Sequence, residues 1–169
     1  TGSVVINNGK VVTISGNFRC NSNLGYVTNN GTIIVGDPTN FFITYESSQD
    51  RLRSLSGNLE LNSGGSIPQT EDGGYKNLTL SGTTTSNFSY SINGNISNSG
   101  SYTSTGSSIV TFNGTSVQFI SSSGTSNFET ILITNSSGIN ISDAGHTLNA
   151  SGVVTNEGNL VVFGIFNST

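Results

Sequence analysis

The sequence predicts an all-β chain, folded as a parallel β-helix built from short strands. Three observations predict it: apolar residues alternate with polar ones in runs of three to five, Gly and Asn punctuate those runs, and similar segments recur along the chain. No window carries apolar residues at helical spacing, and strong helix formers are sparse throughout. A β-sandwich is the alternative architecture, because clusters every 8 to 12 residues also suit hairpins. The recurrence favours the β-helix, since stacked coils place equivalent residues over one another, whereas each sandwich strand has its own environment.

Composition narrows the class further. The 169 residues suit one domain, only 8% of them are charged, and nine Phe and five Tyr are spread along a chain rich in Ser, Thr, Asn and Gly. A disordered polar tract would lack those aromatics and β-branched residues, so the chain is expected to bury a core. A net charge of −4 with five basic residues excludes the cationic footprint that nucleic acid or an anionic membrane requires. No apolar run is long enough to span a bilayer, and Thr1 opens no charged and apolar leader. Cys20 is the single cysteine; it forms no disulfide within the chain and reads as a small buried apolar residue.

In chain order, residues 3–36 read as short strands (Val4 to Ile6, Val11 to Ile14, Phe18 to Cys20, Ile33 to Val35) joined by turns such as Asn7-Asn8-Gly9 and Asn29-Asn30-Gly31. Residues 37–74 are expected to form an irregular insertion that leaves the regular stack as an elaborated coil or a hairpin on its side, because Asp37-Pro38 opens the segment, Pro68 lies near its end, and it holds most of the charge in the chain. Within it, Tyr45, Glu46, Asp50, Arg51 and Arg53 form the candidate contact surface, since protruding loops tolerate variation and carry specificity. Two regular units follow, 75–114 and 128–164. Tyr75-Lys-Asn-Leu-Thr-Leu-Ser aligns with Phe128-Glu-Thr-Ile-Leu-Ile-Thr, Gly106 to Gly114 with Gly158 to Gly164, and Thr28 to Gly36 with Thr155 to Gly164. Between the units, Val117/Phe119 and Ile131/Ile133 are expected to point inward, with Ser121 to Ser126 as an outer turn.

Chemistry-bearing constellations are few. Asp143 and His146 read as a capped turn rather than an acid/base pair, and Glu46, Asp50, Arg51 and Arg53 as solvated ion pairs rather than a catalytic cluster. No metal-ligand spacing, phosphate loop or nucleophile elbow is present, so no enzyme, cofactor or metal is expected. Nine Asn-x-Ser/Thr sequons match what so much Asn, Ser and Thr generates by chance. The threonines of Thr83-Thr84-Thr85 and Thr103-x-Thr105 read as too isolated to form the ladder that ice binding uses.

FNGTSVQFISSSGTSNFETILITNSSGINI, residues 112–141, and GVVTNEGNLVVFGIFNST, at 152–169, resemble the Ser/Thr/Asn/Gly-rich repeats of large secreted surface adhesins of Bacteroidota, which are often described as autotransporter-like. The likeness covers 75–169 well, 3–36 loosely and the middle segment not at all. It implies a parallel β-helix, export to the cell surface, and a role in adhesion or filament extension. The resulting expectation is an extracellular scaffold or stalk that meets neighbouring domains or copies end to end and contacts surface glycans, with no nucleic-acid partner and no membrane insertion. A self-assembling filament subunit and a carbohydrate-active β-helix enzyme are the alternatives.

Overall fold

The structure is a computed structural model that describes residues 3–15, 26–36, 52–70 and 72–168. The chain winds into a parallel β-solenoid with no helix among the described residues. Among the described residues every strand pairing is parallel and joins one coil to the next.

Three faces line the coil. The first carries β1 (Val4–Ile6), β3 (Val27–Asn29), β5 (Leu52–Arg53), β8 (Gly74–Tyr75), β11 (Tyr90–Ile92), β14 (Ile109–Phe112), β17 (Thr130–Ile133) and β20 (Val154–Asn156). The second is one continuous sheet of β2 (Val11–Ile14), β4 (Thr32–Val35), β6 (Asn58–Leu61), β9 (Asn77–Leu80), β12 (Ile96–Asn98), β15 (Gln118–Ser121), β18 (Ile139–Ile141) and β21 (Leu160–Val162). The third carries β7 (Gly65–Ser66), β10 (Thr83–Ser86), β13 (Ser101–Ser104), β16 (Thr125–Phe128), β19 (Thr147–Ala150) and β22 (Ile165–Ser168).

Register explains the core. On the second face Val12, Ile33, Leu59, Leu78, Ile96, Ile120, Ile141 and Val162 stand over one another, one aliphatic side chain per coil. Strand residues alternate inward and outward, so the column is buried from Ile33 to Ile141 while its sequence neighbours face outward; Val12 and Val162, in the end coils, are exposed. Midway along the axis the filling changes to rings: Tyr102 and Phe128 lie 5.3 Å apart, Phe112 and Phe128 6.3 Å, and Tyr75 and Tyr90 6.5 Å. The Tyr90 and Tyr102 hydroxyls are paired, Tyr90 donating to Tyr102 at 2.7 Å and Tyr102 meeting Ser86 Oγ at 2.6 Å. Burial without a nearby cation pushes both phenols above their ordinary range.

The corner between the first and second faces is a column of glycines. A Cβ at Gly31, Gly57, Gly94, Gly114, Gly138 or Gly158 would lie within 2.6 Å of a backbone carbonyl or amide oxygen of an adjacent coil, so close stacking favours glycine at these six positions, while Lys76 takes the same corner between Gly57 and Gly94. Gly9 differs: its φ of +74° favours glycine, but a Cβ would meet nothing. Gly9→Ala is therefore expected to cost only the left-handed backbone penalty, about 1 kcal/mol, read as a shift in the denaturant midpoint. A loss as large as that of a core truncation would show that crowding, and not φ, selects this glycine.

Three sequence expectations change. The 37–74 segment does not leave the stack over its described part, because β5, β6, β7 and β8 all pair with strands of neighbouring coils; residues 37–51 lie outside the described residues. The charge there marks outward side chains and caps. Asp72 receives Ser54 N–H at 2.9 Å and Leu55 N–H at 2.8 Å where the first face divides into sheets of three and five strands. The aligned pair Leu78/Leu80 and Ile131/Ile133 is buried as expected, but on the second and first faces respectively, so that match is not a stacking relation. One coil advances 18 residues from Leu78 to Ile96 and 26 from Ile33 to Leu59, and the longer units span about two coils. Finally, Val117 and Phe119 point outward, 45% and 38% exposed, while Gln118 and Ile120 turn in. Ser126, placed in an outer turn by its polarity, is a fully buried strand residue.

Candidate ligand-contact surface

Along the second face the outward residues form two columns with the inward-pointing residue between them, leaving an open groove of about 430 Å³. One wall is Thr32, Asn58, Asn77 and Asn95; the other is Glu60, Thr79, Ser97 and Ser121. The backbone of Leu59 and Leu78 lines its floor. The asparagine wall is a connected ladder. Asn58 Nδ2 donates to Thr32 Oγ1 at 3.1 Å, Asn77 Nδ2 to Asn58 Oδ1 at 2.7 Å, and Asn95 N–H to Asn77 Oδ1 at 2.6 Å. Phe119 continues the wall one coil on, its N–H donating to Asn95 Oδ1 at 2.9 Å. Amides stacked at the strand spacing can satisfy one another, where stacked charges would repel.

Among the described residues Glu60 is the single ionisable one in the lining, and it makes no hydrogen bond or ion pair. General acid/base hydrolysis needs a second carboxylate or another titratable group across the cleft, and the lining supplies none. Other acids serve the backbone instead: Glu129 accepts from Ser107 N–H at 2.7 Å, where Ser107 has a φ of +62°, and Asp143 accepts from Gly145 N–H at 2.9 Å.

The third face carries a second ladder. Thr83, Ser101, Thr125, Thr147 and Ile165 form one outward column; Ser66, Thr85, Thr103, Asn127, Asn149 and Asn167 form the other. Asn149 donates to Asn127 Oδ1 at 2.7 Å and Asn167 to Asn149 Oδ1 at 2.8 Å. Threonines expected to be isolated are thus brought into register with hydroxyl and amide neighbours from other coils.

Of the contact residues expected from sequence, Tyr45, Glu46, Asp50 and Arg51 lie outside the described residues. Arg53 sits on the first face in β5, exposed, with its guanidinium 4.0 Å from the Tyr26 ring centroid, so that one side of the cation is covered by an aromatic. It is not part of the groove. The groove residues were missed, although Asn58-Leu-Glu-Leu, Asn77-Leu-Thr-Leu and Asn95-Ile-Ser-Asn repeat at intervals of one coil.

Asp143 and His146 do form a turn, with His146 N–H donating to the Asp143 carbonyl at 3.0 Å. The imidazole is buried; Nδ1–H donates to the Ser122 carbonyl at 2.8 Å, and Nε2 has no partner. Burial holds its pKa below the ordinary value, against the opposing pull of Ser122 and Asp143. Because the folded state disfavours the imidazolium, the stability contributed by neutral His146 is complete above about pH 6.5 and is lost as pH falls from there through the lowered folded value. His146→Gln is expected to flatten the denaturant midpoint between pH 8 and pH 5, and a wild-type midpoint constant across that window would refute the burial effect.

Comparison with family models, with curated proteins and with solved structures finds no match for the chain. The fold and the faces therefore define the class: a β-solenoid repeat protein with hydroxyl- and amide-laddered sides.

Proposed function

We propose that this chain is a non-enzymatic structural and adhesive segment of an extracellular, cell-surface or filament protein, a stalk whose sides contact glycans or other surfaces. The observation that carries the reading is the pair of amide and hydroxyl ladders on the second and third faces, repeated coil after coil. Such faces offer many weak, evenly spaced hydrogen bonds, which suit avid contact with a repetitive surface better than capture of one small molecule. The likeness of residues 75–169 to Bacteroidota adhesin repeats supports the same reading.

The terminal coils support extension along the axis. Among the described residues, Val4 and Val12 in the first coil and Val162, Phe163 and Ile165 in the last are exposed on or beside edge strands, which suits pairing with a further coil, a neighbouring domain or a second copy. A glycan array paired with hydrolysis and lyase assays on the bound sugars tests the proposal. Retention of sugars without turnover is the expected result; release of shortened or unsaturated products would replace the scaffold with an enzyme. Analytical ultracentrifugation tests the ends, and a strictly monomeric species at high concentration would remove copy-to-copy contact.

A further inference from the structure

We propose that the second-face groove binds an extended 1,4-linked hexose chain, neutral or amine-bearing, laid parallel to the solenoid axis at about one sugar per coil. The inference rests on the reading that the chain contacts glycans, and it names the site and the class of glycan. Direction comes first. The lining is drawn from five successive coils, from Thr32 through Glu60, Thr79 and Ser97 to Ser121, so the groove runs across the strands and along the axis. Four coil intervals of about 4.8 Å make it about 19 Å long. That interval is close to the advance per residue of an extended 1,4-linked hexose chain, so successive sugars meet equivalent side chains.

Chemistry then selects among extended polymers. A peptide adding itself as a strand needs an unpaired sheet edge, and the groove floor is the interior of a fully paired sheet. Nucleic acid and anionic polysaccharides need cations; the described residues of the lining include none and carry the unpaired Glu60 carboxylate. Sugar hydroxyls suit what remains: amides whose orientation is fixed by the ladder before any ligand arrives, the unpartnered hydroxyl of Thr79, and a carboxylate that accepts from a hydroxyl pair or a protonated amine. The partly exposed Phe119 ring, one coil beyond Asn95, offers an apolar face for a sugar's C–H side.

Calorimetric titration with cello-oligosaccharides and chitosan oligosaccharides from dimer to hexamer tests this on the intact chain. Affinity is expected to rise with length to about five sugars, the number of lining coils, and then level off. Thr79→Trp fills the groove from an outward position and is expected to weaken hexamer binding about tenfold or more, whereas Val153→Trp, at an exposed position just before β20 and off both laddered faces, leaves it within about twofold. Glu60→Gln is expected to erase any preference for the amine-bearing over the neutral hexamer without touching the fold, and it serves if Thr79→Trp does not fold by circular dichroism. Length-independent affinity, equal losses from the two tryptophans, or tighter binding of polygalacturonate than of cellohexaose would overturn the proposal. If arrays show bound glycans that Thr79→Trp retains, the groove assignment falls and the adhesive reading stands; if the wild-type chain binds no glycan, the glycan-contact reading falls with it.

Discussion

Phe112→Ala is expected to lower stability by about 3–5 kcal/mol, at the high end for a core truncation. Phe112 is fully buried, stands in register between Ile92 and Ile133 of the adjoining coils, and meets Phe128 edge-on at 6.3 Å. The vacated space lies between coils whose separation is fixed by parallel backbone ladders, so the walls have little freedom to collapse into it. Phe112→Leu, which keeps most of the volume, is expected to cost about 1 kcal/mol. Phe163→Ala removes the same ring at a site 65% exposed and is expected to stay within about 0.5 kcal/mol. Guanidinium titration followed by circular dichroism orders the three variants. Equal losses at Phe112 and Phe163 would mean that the axial core is not where the stability resides. Because each coil touches only its neighbours, the Phe112 variant should also separate into a two-step transition as the coils on either side uncouple.

The solenoid was legible because every coil obeys the same local rules: alternation over three or four residues, then a polar corner. Those rules say that a residue faces in, not which face it belongs to. Leu78 and Ile131 head the same motif and occupy different sheets, because inward aliphatics are interchangeable among the three faces. Charge misled in another way. Glu60 and Asp72 suggested a departure from the stack, but an outward position and a backbone cap accommodate a carboxylate without disturbing the ladder. The groove itself was the least legible feature. Asn58, Asn77 and Asn95 are ordinary amides in an amide-rich chain, and only stacking turns them into a wall.

Gln118→Leu is expected to destabilise the fold by about 2–4 kcal/mol even though it makes the core more apolar. The sequence around it reads with Val117 and Phe119 as the buried pair, and the structure inverts that phase. Two demands set the inversion. Ile120 must join the aliphatic column between Ile96 and Ile141, which by alternation also turns Gln118 inward. The corner then has backbone groups facing the interior, and the Gln118 amide satisfies them: Nε2 donates to the Ile92 and Gly94 carbonyls, at 2.8 and 2.5 Å, and Oε1 accepts from Gly114 N–H at 2.8 Å and from Asn135 Nδ2 at 3.1 Å. Leucine fills the volume but leaves Gly114 N–H and the Gly94 carbonyl without these partners, while the Ile92 carbonyl keeps Asn113 N–H. Each orphaned buried group costs about 1–3 kcal/mol, more than the added apolar burial returns. Val117→Ser, at an exposed position, is expected to stay within about 0.5 kcal/mol. The ordering of these two denaturant midpoints decides the phase of the strand: a stable Gln118→Leu with a damaged Val117→Ser would restore the pattern that hydrophobicity alone suggests. Asn29 with Ser54 and Asn98 with Ser126 repeat the arrangement at other corners, so buried amides hold the turns while the aliphatic columns hold the coils.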